Sequence, residues 1–210
     1  MDCPATCATV VTSLAPGHML ACRRSSDSKD QESSGCVTMK RRTPRMHIRR
    51  AVATDAEAIA SVIAESFAAY QTAYTPAAFT ATTPRPNQIE RRLHEGPMWV
   101  AVQRATIVGT LSAVPQDALL YLRSLAVLPM ARGQGIGRGL MEQAEQFAVA
   151  HAVTRLVLST TPFLAHAIQL YTQLGFQTST DGPYDLFGTP LLTMVKPVVP
   201  VIETPRASTV

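Results

Sequence analysis

After Cys36 this 210-residue chain has no cysteine. Its four cysteines, Cys3, Cys7, Cys22 and Cys36, crowd into the first 36 residues and include no C-x-x-C pair. That excludes a disulfide framework for the rest of the chain, a paired-cysteine zinc site and a C-x-x-C redox centre. No metal is expected, and the pattern fits a cytoplasmic protein. No apolar run approaches the roughly 20 residues that a membrane crossing needs, so no membrane partner is expected. Charge of one sign is also missing from most of the chain. Residues 1–45 hold 7 Lys+Arg against 4 Asp+Glu, whereas residues 46–210 hold 12 against 11. A near-neutral main body excludes a general nucleic-acid surface, despite the formal net charge of +4.

The hydrophobic fraction of 46% is that of a soluble globular protein, and the length suffices for one domain with a sizeable core. Residues 1–45 read as a disordered or poorly ordered extension. Within it, residues 25–34 (SSDSKDQESS) carry no apolar period. Its start lacks the basic residues of a signal peptide, with no arginine before Arg23. Met19 to Cys22 is similar to a lipoprotein cleavage site but lacks that basic start as well. Lys40, Arg41, Arg42 and Arg45 are read as a solvated linker, and Met46 is a second candidate start.

From residue 46 the chain reads as a domain reaching 197, followed by a frayed tail over 198–210. Residues 46–51 suit a first strand. Thr54 offers an N-cap with Glu57 as its capping-box partner, ahead of a helix with Ile59, Val62, Ile63, Ser66 and Phe67 at helical spacing. Residues 72–86, rich in Thr, Ala and Pro, read as a loop, and residues 87–95 as a second helix. The runs MWVAVQ (98–103) and TIVGTLSAV (106–114) predict a hairpin turning at Arg104-Ala105 without the usual Asn-Gly. Strands follow at 119–128 and 155–160, with a helix between them from the glycine loop to about Val153. Residues 162–174 read as a helix with Pro162 at its first position and Gly175 as its C-terminal cap. Phe176 opens another strand, and residues 191–197 (LLTMVKP) close the domain. The order is β-α-α-β-β-β-α-β-α-β-β, an α/β class (α+β mixed sheet) with helices on both faces.

The most informative stretch is Arg132-Gly133-Gln134-Gly135-Ile136-Gly137, set between a buried strand and a helix. Glycines let backbone N–H groups approach an anion, and the helix N-terminus adds partial positive charge. The dinucleotide fingerprint G-x-G-x-x-G fails here: counting from Gly133 its last position is Arg138, and from Gly135 it is Leu140. The P-loop fails for want of a lysine. What remains is R-x-x-G-x-G over Arg132, Gly135 and Gly137. Read alone, it is an anion cradle or a plain strand-to-helix turn.

That hexapeptide resembles the pyrophosphate loop of the GCN5-related N-acetyltransferase (GNAT) family. Leu125-Ala126-Val127-Leu128-Pro129 before it is similar to the family's central strand. Ala167-Ile168-Gln169-Leu170-Tyr171, continuing to Gly175-Phe176, is similar to its A-I-x-L-Y-x-x-L-G-F segment. Met194 and Lys196 match the closing strand weakly. The resemblance covers about residues 47–197. It implies a GNAT-like acyl-CoA N-acyltransferase fold and acetyl-coenzyme A as cosubstrate. It also implies that Gly133, Gln134, Gly135, Ile136 and Gly137 turn backbone N–H groups to the pyrophosphate, with Arg132 and Arg138 adding charge. Leu125, Ala126 and Val127 would line the pantetheine arm on a bulged, splayed strand. The Val127 N–H would polarise the thioester carbonyl, and Tyr171 would donate a proton to the leaving thiolate. One departure stands out: Leu164 occupies the place of a frequent asparagine, which puts that pantetheine contact in doubt. His166 beside it is read as a surface histidine.

The implied reaction is acetyl transfer to a primary amine of a small molecule or peptide by direct attack. A catalytically weak acyl-CoA sensor or interaction module is the alternative. No general base is legible; Tyr121, Glu65, Glu90 and Asp117 are candidates. The acceptor is not legible either. Residues 68–96 are its variable ground, and Arg85, Arg91 and Arg92 there are read as facing solvent. Oligomeric state is open, with a homodimer among the options.

Overall fold

The computed structural model describes residues 46–182 and 184–199. The readings of residues 1–45 and of the tail beyond Val199 lie outside these. Seven strands form one sheet in the order β1-β2-β3-β4-β5-β9-β6. They are β1 (His47–Arg50), β2 (Met98–Gln103), β3 (Thr106–Gln116), β4 (Leu119–Val127), β5 (Arg155–Thr160), β6 (Gln177–Ser179) and β9 (Leu192–Pro197). The β4–β5 pair is parallel and the other pairs are antiparallel. A parallel pair needs a crossover, and helix α4 (Ile136–Ala150) supplies it. A separate two-stranded ribbon joins β7 (Asp185–Leu186) to β8 (Thr189–Pro190).

Helix α1 (Ala56–Phe67) buries Ile59, Ala60, Val62, Ile63 and Ser66, the face its spacing announces. Ile59 and Ile63 are fully buried, each contributing about 1.5–3 kcal/mol by leaving water. The capping box expected from Thr54 and Glu57 does not form. A 3-10 turn, Ala53–Asp55, precedes the helix, and Asp55 Oδ2 accepts the Val52 N–H at 2.8 Å. Arg49 holds the same carboxylate with two bonds of 2.7 and 2.8 Å. Every residue of 98–102 is buried, so both faces of the sheet are covered. Phe147 of α4 meets Trp99 edge to face, with centroids 5.9 Å apart.

Three further expectations need correction. Residues 72–86 are not all loop. Thr75 caps α2 (Pro76–Thr82) by accepting the Ala78 N–H, with Pro76 in the first turn. Helix α3 then runs Pro86–Glu95. Helix α5 is Ala165–Gln173, so Pro162 lies in the preceding turn, and α4 stops at Ala150 rather than near Val153. Gly175 does close α5: its N–H reaches Thr172 O and that of Phe176 reaches Tyr171 O, both at 3.0 Å. Its φ of 89° is the left-handed value that this double bond requires.

Candidate active site

The site begins with a fault in the sheet. β4 pairs with β5 only from Leu119 to Leu122, while β5 continues to Thr160 against β9 alone. On the other edge, Thr110 faces Ala126 but Ser112 faces Arg123, so Leu111 stands against both Ser124 and Leu125. This is a β-bulge, and Ser124 takes a left-handed φ of 56° to make it. The bulge bends β4 away from β5 and opens a wedge between them. Leu128 N–H donates to Val108 O at 2.9 Å, so it points at β3. Alternation along the strand turns the N–H and carbonyl of Val127 the other way, into the wedge.

The glycine loop lies at the mouth of the wedge. Gly133 and Gly135 have φ of 75° and 76°, and a Cβ on either would meet nothing within 4 Å. Both need glycine for conformation, and both leave a clear approach. α4 starts at Ile136, and its first bond runs from Gly139 N–H to Gly135 O. The N–H groups of Ile136, Gly137 and Arg138 therefore have no helical acceptor and sit at the positive end of a 15-residue dipole. A Cβ on Gly137 would come within 3.1 Å of Leu170 Cδ2, so this glycine sets how closely α4 meets α5. Arg138 is exposed on the first turn. Arg132 is committed elsewhere: it donates to Val127 O at 3.2 Å and to Ser66 O at 3.0 Å. The Gln134 side chain accepts from Gln103 at 3.1 Å and is not on the cavity wall.

Wedge and loop open into one cavity of about 930 Å³, whose wall includes Leu125, Ala126, Val127, Gly135, Gly137 and Tyr171. Ser66 Oγ and Ser159 Oγ are buried on this wall without a hydrogen-bond partner among the described residues, an arrangement suited to a polar ligand arm. Tyr171 is 7% exposed and packs on Phe176. Burial, and secondarily Tyr74, raise its phenol well above the usual tyrosine range, so it holds its proton firmly. Leu164 and His166 also line the cavity.

Among the described residues the wall carries four arginines, Arg92, Arg123, Arg132 and Arg138, and no Asp or Glu. Of the base candidates, Tyr121 lines the cavity; Glu65, Glu90 and Asp117 are exposed and do not. Arg92 corrects the solvent-facing reading given to it. It is partly buried and donates to Ser124 Oγ at 3.0 Å, whereas Arg85 and Arg91 are exposed. Burial first, then the nearby Arg123, lowers the Arg92 pKa, with Glu95 opposing. Phe67, Tyr70 and Tyr74 also line the cavity, with Tyr74 edge-on to Phe163 at 4.8 Å. The β7–β8 ribbon is tied to this end: Thr75 N–H donates to Thr189 Oγ1 and Thr75 Oγ1 donates to Phe187 O.

The model of the acetyltransferase (GNAT) family matches residues 61–176. The chain belongs to this family. It is similar to N-acetyltransferase family 8 member 3 of Rattus norvegicus, 36% identical over 97 residues, which are 43% of this chain and 42% of that protein. Human N-acetylaspartate synthetase is 36% identical over 81 residues, 38% of this chain and 27% of that one. The chain thus spans less than half the length of these two curated relatives. Among solved structures, PaiA N-acetyltransferase of Thermoplasma acidophilum in complex with coenzyme A shares 18% identity and a TM-score of 0.64, over 73% of this chain and 99% of its own. Ribosomal-protein-alanine N-acetyltransferase of Brucella melitensis shares 25% identity and a TM-score of 0.58, over 72% and 99%. The mixed sheet is the GNAT fold, and the bulged, splayed β4 is the feature that the resemblance implied. Sequence reading missed Arg123 and Ser124 as wall residues. The bulge that aims them has no compositional signal.

Proposed function

We propose that this chain is an N-acetyltransferase that moves an acetyl group from acetyl-coenzyme A to a primary amine of a small molecule or peptide. The observation that carries this is the meeting of three elements on one cavity wall: Val127 with its inward N–H, the start of α4 with its free amides, and the buried Tyr171. The α4 amides suit the pyrophosphate, and the unpaired edges of β4 and β5 suit the pantetheine amides. The amine lone pair attacks the thioester carbon, and the carbonyl electrons move to oxygen, where the Val127 N–H meets them. One such donor is typically worth about 10²–10³ in rate. Collapse breaks the C–S bond, and the thiolate takes the Tyr171 proton or its hydrogen bond. With no carboxylate among the described residues of the wall, the amine enters neutral and its surplus proton leaves through water. A cytoplasmic setting goes with this reading, supported by the cysteine-free stretch after Cys36.

Thiol release from acetyl-coenzyme A, measured over a panel of amines, amino acids, polyamines, aminoglycosides and peptide N-termini, tests the proposal. Release above the amine-free rate is expected. Coenzyme A binding with no release from any acceptor points to the acyl-CoA sensor, the reading that the missing carboxylate base favours.

A further inference from the structure

We infer that the acceptor amine carries a carboxylate, which Arg92 and Arg123 bind from the β4 bulge. The inference rests on the acyl-transfer reading and names the acceptor class for the same site. Arg92 comes from α3 and Arg123 from β4, and both line the cavity beside Ser124. One Arg92 nitrogen donates to Ser124 Oγ, and the rest of its five-donor fork has no partner among the described residues. Arg123 is paired with Glu95, yet its Nε is buried and unpartnered. Two guanidiniums therefore share one carboxylate, leaving an uncompensated positive charge at a partly desolvated spot. A ligand carboxylate supplies what is missing, with bidentate geometry that guanidinium matches.

The rest of the wall points the same way. A polyamine or aminoglycoside needs anions to hold its several cations, and the described residues of this wall offer none. Spacing also limits the acceptor. Ser124 lies three residues before Val127, a rise of about 10 Å along a strand, shortened by the bulge. Contacts of about 3 Å at each end leave only a few ångströms between the thioester carbonyl on Val127 and the acceptor's carboxylate, so only a short linker separates that carboxylate from the attacking amine. That is the span of an α-, β- or γ-amino acid. Phe67, Tyr70 and Tyr74, which line the same cavity, offer the side chain apolar surface.

Calorimetric titration of the full-length protein saturated with coenzyme A tests this directly. The probes are leucine, phenylalanine, aspartate, β-alanine and 4-aminobutyrate, each paired with the amine left on removing every carboxylate. The tightest acid is expected to bind at least about tenfold better than its paired amine, since hydrogen bonds to charged groups are worth that much. Arg92→Met is expected to collapse that ratio and Arg92→Lys to restore it in part. Equal affinity for acid and amine, or no binding by any acid, overturns the inference. Thiol release in parallel keeps the two readings apart. Release from amines without any preference for acids sinks this inference alone, and acid binding without release sinks only the acyl-transfer reading.

Discussion

Arg132 Nε lies 3.2 Å from the carbonyl oxygen of Val127, the residue whose N–H faces the wedge. The same guanidinium reaches Ser66 O, so it ties the end of β4 to the end of α1. The arginine expected to grip pyrophosphate is thus bonded to the strand end whose Val127 N–H is proposed as the oxyanion donor. Arg132→Ala is therefore expected to lower kcat/KM about tenfold or more for acetyl-coenzyme A and also for a truncated thioester such as S-acetyl-N-acetylcysteamine, because small displacements at the reacting centre cost that much. A purely electrostatic role would spare the truncated donor. Comparing both donors in one thiol-release assay decides between the roles.

Tyr171→Phe keeps the ring in its packing against Phe176 and removes only the hydroxyl. Coenzyme A affinity should stay within about twofold, while turnover falls at least about tenfold, a bound set below the roughly 10²–10⁴ typical of a general acid. Burial holds the phenol's proton, so its help is largest when the thiolate forms in the same dry pocket. Raising the pH to 9 should leave the wild-type contribution of Tyr171 intact, given the upward shift of its phenol. Turnover unchanged in the Phe variant would remove Tyr171 from the mechanism.

Much of the frame was readable because its elements carry local signals. The burial period of α1, the glycine loop and the Gly175 cap all stand where the sequence placed them. The Arg104-Ala105 turn was readable only from its flanks: both residues take positive φ, 50° and 64°, a conformation more often built with Asn-Gly. Helix α2 was hidden by an Ala-Thr-Pro composition that reads as loop, although Thr75-Pro76 is an N-cap and first-turn pair. Arg92 was misjudged for a different reason. Its position on α3 is ordinary, and only the bulge at Ser124 supplies it with a partner. The bulge is a long-range property of register, which no window of local sequence contains.

Two glycines separate binding from stability. Gly135→Ala forces a side chain into a φ of 76° where the space is open. The conformational cost is about 1–2 kcal/mol, and the new methyl enters the open space at the proposed anion cradle. Gly96→Ala meets a different obstacle: its Cβ would collide with Ala113 O and lie 2.7 Å from Pro115 Cδ. Overpacking of that kind costs about 1–3 kcal/mol. Both variants should melt earlier, but only Gly135→Ala should lose coenzyme A affinity, by tenfold or more. Equal loss of affinity in the two would mean that the cradle does not hold the cofactor's phosphates.

Asp55 provides the pH test of the fold. Its carboxylate accepts two bonds from Arg49 and one from the Val52 N–H. The Arg49 bonds first, then the backbone bond and the Arg49 charge, lower its pKa against the opposing effect of burial. The native carboxyl thus binds a proton less readily than the unfolded one, whose pKa is about 3.9. Its contribution is fully present above the unfolded value and is lost as pH falls through the lower folded value. The Arg49 side chain is 40% exposed, so the pair itself ranks low among ion pairs. Losing cap and pair together in Asp55→Ala should cost about 1–2 kcal/mol at pH 7. Urea unfolding of both proteins at pH 7, 5 and 3 should show that gap holding at the first two values and narrowing at the third. A gap of constant size across the series would mean that the carboxylate's charge contributes nothing and only its packing matters.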